Sequence, residues 1–413
     1  MTATEDRPAP PRLSADPDFR RLFGAAALSQ FGGQLGHLAL PLLAVTGLNA
    51  TPGQVGLLAA LGAAAFLLIG LPAGVWVDRL PRRPVMIAAD LARVVLVASV
   101  PAAWWAGVLT MAQLHAVALL SGTATLFFDL ASQSYVPHLV GRARLLAANS
   151  ALVSLQAVTD ISGRSAAGLL VQVLTAPVAI LADALTYLWS AARLRAIRAP
   201  EPPRPARRTR LWPGVREAAR FVGGDAALRA IALQGALTSA GVQLCLVMLP
   251  VLFVRGLRLP ETVLGLFLAA GGVGALLGAR CAPALSRRLG HGRSALYPAV
   301  ASAPLALLIP LVGAGPGLWA AALGWTAVAF RVGANNVALV SLRQRVTPDE
   351  MLGRMNGVFR FVFTGAVALG AALGGLLGEV SGPRAALWAG ALCLAVSWAP
   401  IAFSPLRRAR DLS

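Results

Sequence analysis

The sequence predicts an all-α membrane protein with twelve transmembrane helices in two parallel six-helix repeats. Three observations predict it. Of 413 residues, 57% are hydrophobic and 13% charged, with a mean hydropathy of +0.70, whereas a soluble domain carries about 25% charged residues. Twelve apolar stretches each approach the ~20 residues that carry a helix across the hydrocarbon. The 36 basic residues are all arginine and collect in short segments between alternate stretches. That pattern reads as topology rather than as the continuous basic face of a nucleic-acid-binding domain.

The expected spans, in order, are 22–45, 53–77, 85–108, 111–134, 148–172, 176–196, 228–254, 262–284, 294–313, 317–341, 357–379 and 384–404. Residues 1–21 hold four acids and four arginines and lack the basic start of a cleaved signal peptide. Counting arginines places 31 on one side of the membrane, against Arg255, Arg258 and Arg384 on the other, with Arg164 and Arg331 inside spans. Under the positive-inside rule both termini are cytoplasmic. The organisation is therefore a cytoplasmic segment (1–21), a six-helix bundle (22–196), a cytoplasmic linker (197–227), a second bundle (228–404) and a cytoplasmic tail (405–413). The linker, with its run A-P-E-P-P-R-P-A-R-R-T-R, reads as an extended basic segment against anionic lipid.

The halves echo each other. Gly70-x-x-x-Gly74 recurs as Gly274-x-x-x-Gly278, and Gly168-Leu169-Leu170 as Gly375-Leu376-Leu377. Small residues at this spacing predict close helix approach in both halves. Two parallel repeats place a substrate site between the halves, near the bilayer midplane.

Span 2 runs into G-V-W-V-D-R-L-P-R-R-P, from Gly74 to Pro84. Asp78 stands there among Arg79, Arg82 and Arg83, where a carboxylate can accept from a helix end or pair with arginine as a cytoplasmic latch. The stretch resembles the G-x-x-x-D-R-x-x-R-R motif of the major facilitator superfamily, and Asp90 with Arg93 fits that motif's usual charge network. The second copy has Ala282 in place of Asp78, so an acidic latch is one-sided. The runs 132–150, 167–188 and 341–356, the last reading S-L-R-Q-R-V-T-P-D-E-M-L-G-R-M-N, resemble the drug and siderophore exporter branch, including enterobactin-exporter-like and macrolide-efflux-like proteins. The resemblance implies the major facilitator fold, no cofactor, a proton gradient as energy source, and efflux of a bulky organic compound. It further implies a monomer in the inner (plasma) membrane, whose partners are a small-molecule substrate, protons and the bilayer, with no nucleic acid. Rival readings are a proton-coupled importer and a transport-inactive scaffold or lipid-handling protein. Two departures stand out: Gly32-Gly33 where the branch often has Gly-Asp, and Gly163-Arg164 where efflux relatives have Gly-Pro.

An ionisable side chain at the bilayer centre costs ~2.5–3.5 kcal/mol on insertion scales, so each one is a functional candidate. Asp160 and Arg164 share a face of span 5 at i,i+4 spacing. Either Asp160 carries the coupling proton or the two form a permanent ion pair. Arg331 and Asn335 in span 10 would bind an anion in the cavity or pair with an acid of the opposite half. Gln30, Gln34 and His37 make a polar stripe on span 1, and Gln234 with Thr238 a shorter one on span 7. The resemblance turns spans 1, 4, 7 and 10 toward the cavity; a packing role for His37 is the alternative. Asp183 in span 6 reads as a residue that joins helices. The sequence contains no H-E-x-x-H, G-x-x-x-x-G-K-[ST] or G-x-S-x-G site, and its three cysteines form no C-x-x-C pair. These absences argue against an enzyme and against a zinc site.

Overall fold

Capping side chains and prolines set the helix starts. Asp16 accepts from the Asp18 and Phe19 N–H groups at 3.1 and 3.3 Å ahead of Pro17. Thr51 and Gln54 form a reciprocal capping box around Pro52, and Asp225 accepts from Leu228 N–H at 2.8 Å. The computed structural model describes residues 16–141, 144–145, 147–149, 151–152, 154–156, 158–159, 175–199, 201, 211–348 and 351–407. Within them run α1 (Pro17–Gly47), α2 (Pro52–Arg79), α3 (Arg82–Trp105), α4 (Met111–Val140), α5 (Ala176–Arg195), α6 (Leu211–Gly224) and α7 (Ala226–Val251). Then follow α8 (Glu261–Leu289), α9 (His291–Ala306), α10 (Pro316–Val346), α11 (Leu352–Ser381) and α12 (Pro383–Val396). No strand occurs among the described residues, and eight stretches are long and apolar enough to cross a membrane. The expected spans 1, 6 and 10 fall on α1, α5 and α10; span 5 lies largely outside the described residues.

The packing repeats. In the first half α1 lies on α5, α2 on α4, and α3 on both α4 and α5; in the second, α7 lies on α12, α8 on α10, and α9 on both α10 and α12. The halves meet along α2 and α11. Apolar burial is distributed unevenly along this seam. At the arginine-poor end one continuous core joins the halves, including Leu42, Val45 and Leu58 with Met248, Phe253 and Ala371. At the arginine-rich end the described residues form two separate cores, one holding Leu22, Met86, Tyr135 and Leu194, the other Leu228, Leu342, Met355 and Phe359.

Two expectations are corrected. Residues 211–224 of the linker are helical rather than extended, and α6 buries Ala218 and adds Val222 to the second half's arginine-rich-end core. Apolar residues at helical spacing can offset the chain entropy that would otherwise keep a basic segment extended. The two glycine pairs also differ. A Cβ on Gly278 would run into the Phe330 carbonyl and Ala334 N, and one on Gly274 into the Thr326 carbonyl, both on α10. Gly74 has nothing within 4 Å, and Gly70 meets only Phe66 of its own helix. In the first half the close approach of α2 and α4 falls instead at Gly122 against the Gly62 backbone. Gly278→Ala should therefore destabilise the protein by about 1–3 kcal/mol, while Gly74→Ala leaves stability unchanged. Thermal melting of the purified variants checks both; equal melting temperatures would remove the distinction between the two glycine pairs.

Candidate transport site

The seam is tied at the arginine-poor end by backbone groups of one half and charged side chains of the other. Pro250 withholds an N–H inside α7, and the helix continues through a π turn, Leu252–Gly256. That turn carries Arg255, whose guanidinium donates to the Val45 and Ala50 carbonyls at 2.6 Å each. Glu379 on α11 accepts from Gly53 N–H at 2.9 Å at the start of α2. Between these ties α2 and α11 touch backbone to backbone, because a Cβ on Gly56 would overlap Gly375. Sequence reasoning missed all three. Arg255 served only in the orientation count, and its spacing carries no sign of a partner some 200 residues away.

The expected cavity residues separate into three groups. On α1, Gln30 accepts from Thr159 Oγ1 at 3.2 Å, Gln34 is half-buried and His37 is exposed. They occupy the face of α1 opposite Gly32 and Gly36, which pack on α5. On α7, Gln234 and Thr238 are buried and bonded to each other, Nε2 to Oγ1, at 3.2 Å. On α10, Arg331 is 1% exposed and donates to Ser397 Oγ and, at 3.4 Å, to the Leu394 carbonyl. Its Nε and Nη2 and both amide atoms of Asn335 have no hydrogen-bond partner. No carboxylate lies within ion-pair distance of Arg331 among the described residues. Asp160 and Arg164 lie outside the described residues.

The expected gating motif also divides. Arg79 is exposed at the end of α2, and the Asp78 side chain lies outside what is described. Arg83 donates from Nε to the Leu194 carbonyl at 2.9 Å and from Nη2 to the Arg195 carbonyl, placing a cation on the last turn of α5. Glu201 accepts from the Arg82 N–H at 2.7 Å, an anion at the start of α3. Asp18 accepts from the N–H groups of Arg198 and Ala199 at 3.2 and 2.9 Å. Burial pushes its carboxyl up, but those bonds and the Arg21 guanidinium outweigh it and hold the pKa below the usual value. These contacts fasten helices of the first half to one another. Between the halves, Arg360 of α11 pairs with Asp129 of α4 at 2.7 Å and lies over the Phe66 ring of α2.

Asp90 and Arg93 point into the first bundle. They pair with each other, 0% and 3% exposed, and the guanidinium lies between the rings of Tyr187 and Phe128 at 4.3 and 4.8 Å. Asp183 of α5, 2% exposed, comes to the same place and is hydrogen-bonded to the Tyr187 hydroxyl. Its carboxylate rests against α1 at Gly32 and Gly36, where any Cβ would strike it. The family resemblance sets Asp90 with Arg93 in one charge network, and Asp183 reads from the sequence as a residue that joins helices; nothing in the sequence puts the three together.

The description of a transmembrane secretion effector family matches residues 10–412. The chain belongs to that family, within the major facilitator superfamily. It is similar in structure to a bacterial homologue of the iron transporter ferroportin in the inward-facing state, with a TM-score of 0.72 and 19% identity over 93% of this chain and 98% of that one. It is similar to the nucleoside transporter NupG, with a TM-score of 0.73 and 12% identity over 94% and 97%. A bacterial homologue of the human lysosomal transporter Spinster, inward-facing and unoccupied, gives 0.69 and 13% over 95% and 97%. At these identities the likeness is one of fold. A comparison with curated protein sequences finds no match. The family and its structural neighbours are membrane transporters and not enzymes, which makes this member of the family a multi-pass membrane protein of secondary transport.

The unpaired guanidinium of Arg331 generates a test. Burying a charge without a counter-ion is unfavourable, so Arg331→Met, similar in length and neutral, should keep the melting temperature or raise stability by about 1–3 kcal/mol. Thermal melting in detergent measures it. A clear fall would mean that an anion offsets the charge of Arg331.

Proposed function

We propose that the protein is a proton-driven exporter of a bulky amphipathic organic compound, working by alternating access of a site between its halves. The observation that carries this reading is the division of the core: one apolar cluster shared by both halves at the arginine-poor end, and a separate cluster in each half at the arginine-rich end. Two bodies that share a core at one end only can rock about the α2–α11 seam without each losing its own packing. The helix-for-helix repetition supports twelve spans in two parallel six-helix repeats, span 5 completing the first. The arginine count supports cytoplasmic termini in the inner (plasma) membrane. In that orientation the tied end is external and the conformation faces inward.

The polar residues supply the remaining support. Gln30, Gln34 and His37 offer donors and acceptors on an otherwise apolar helix. Arg331 and Asn335 offer unsatisfied groups on α10, which suits a substrate with a few polar groups on an apolar body. The protein acts as a monomer, since the bundle itself encloses the path.

Retention of amphipathic dyes by cells with and without the gene tests export, and its abolition by an uncoupler tests proton coupling. A disulfide between cysteines placed at Gly53 and Glu379, where the halves already touch, should stop dye efflux and release it again on reduction. Full efflux in the cross-linked protein would exclude opening at that end.

A further inference from the structure

Three titratable side chains meet inside the first bundle and their charges do not balance. Asp90 and Asp183 contribute two carboxylates and Arg93 one guanidinium, all 3% exposed or less. Among the described residues the only other titratable group there is Tyr187, whose hydroxyl bonds to Asp183; α4 contributes the Phe128 ring, and α1 the backbone at Gly32 and Gly36. Asp90 takes the guanidinium directly. Asp183 has no cation at ion-pair distance among the described residues, and its Oδ1, like Asp90 Oδ2, has no hydrogen-bond partner.

A net negative charge enclosed by rings and helix backbone is unfavourable, and the group without its own cation is the one that gives the charge up. We infer that Asp183 is a proton-binding site: with Asp90 and Arg93 paired, its carboxylate takes up one proton to become the neutral acid and returns it when the packing around it changes. The free oxygen, Oδ1, is where the proton sits. The charge of the cluster then alternates between zero and minus one.

The position of Asp183 says how that proton would be felt. Its carboxylate is pressed against α1 at Gly36 and, beside the Thr186 hydroxyl, at Gly32. The opposite face of α1 carries Gln30, Gln34 and His37. A change of charge on one face of α1 therefore shifts the helix that presents the polar stripe on the other. This last step rests on the transport reading above; the proton site does not.

The charge count supplies the test. The full-length protein, reconstituted in liposomes, is examined by infrared difference spectroscopy for the C=O stretch of a buried protonated carboxyl. In the difference between wild type and Asp183→Asn, whose amide mimics the neutral acid and should fold normally, one such carboxyl should appear at neutral pH. In Asp90→Asn the band should also vanish although Asp183 is intact, because one acid now faces one guanidinium and stays ionised. Persistence of the wild-type band in Asp183→Asn, or its absence from wild type, would overturn the site. Persistence in Asp90→Asn would overturn the charge count behind it. The same preparations loaded with an amphipathic dye separate the two readings. Loss of pH-gradient-driven dye movement in Asp183→Asn, with dye exchange in the absence of a gradient retained, would tie the site to transport. A wild type that shows the band but moves no dye would keep the proton site and remove the export reading.

Discussion

A charge enclosed by hydrocarbon has to meet an opposite charge, a dense set of dipoles or a proton, and that requirement organises both halves of this protein. In the first half it gathers Asp90, Arg93, Asp183 and Tyr187 into one cluster that pins α3 and α5 together against α1. In the second it leaves Arg331 on Ser397 and a single carbonyl between α10 and α12. The two halves share an architecture but not a charge state. Among the described residues, the interior of one carries an excess of acid and that of the other an excess of base. A structural role alone would be better served by apolar residues of similar volume, since burying ion pairs rarely adds stability.

The seam has the opposite character. It is built of glycine, backbone carbonyls and a π turn, all of which act through close approach rather than through charge burial. Gly56 and Gly375 bring α2 and α11 together, and Arg255 and Glu379 then bond to backbone groups at the edge of the contact. Such bonds are made and broken singly, at a net value of ~0.5–1.5 kcal/mol when neutral and ~1.5–3 when one partner is charged. A contact assembled from a few of them is strong enough to hold one state and weak enough to be released by a ligand or a proton. At the far end, Asp129–Arg360 is half-exposed and of the kind that contributes little on its own.

How much of this could be read in advance depended on range. Span positions follow from bilayer thickness and needed only local hydropathy. The repeat was visible as recurring glycines, yet which glycines meet a neighbour depends on helix tilt, so Gly278 packs on α10 whereas Gly74 packs on nothing. The helix at 211–224 had a legible signal, Val215, Ala218 and Val222 at helical spacing, which the preceding Pro- and Arg-rich run concealed. Asp90 and Arg93 are set together by the family resemblance. Asp183 could not be joined to them, because that contact is created by the crossing of α3 and α5. The pairing of Arg255 with α1 is likewise a product of the fold and has no local trace.

The central claim is that the two halves rock about the α2–α11 seam in response to protonation. It is tested most directly by spin-label distances in liposomes, with one pair across the arginine-rich end at Arg79 and Gln344 and one across the opposite end at Val108 and Pro260, all four exposed. As pH is stepped, the account predicts that one distance lengthens while the other shortens, and that Asp183→Asn fixes both at a single value. Distances that stay constant with pH, or that lengthen and shorten together, would contradict it.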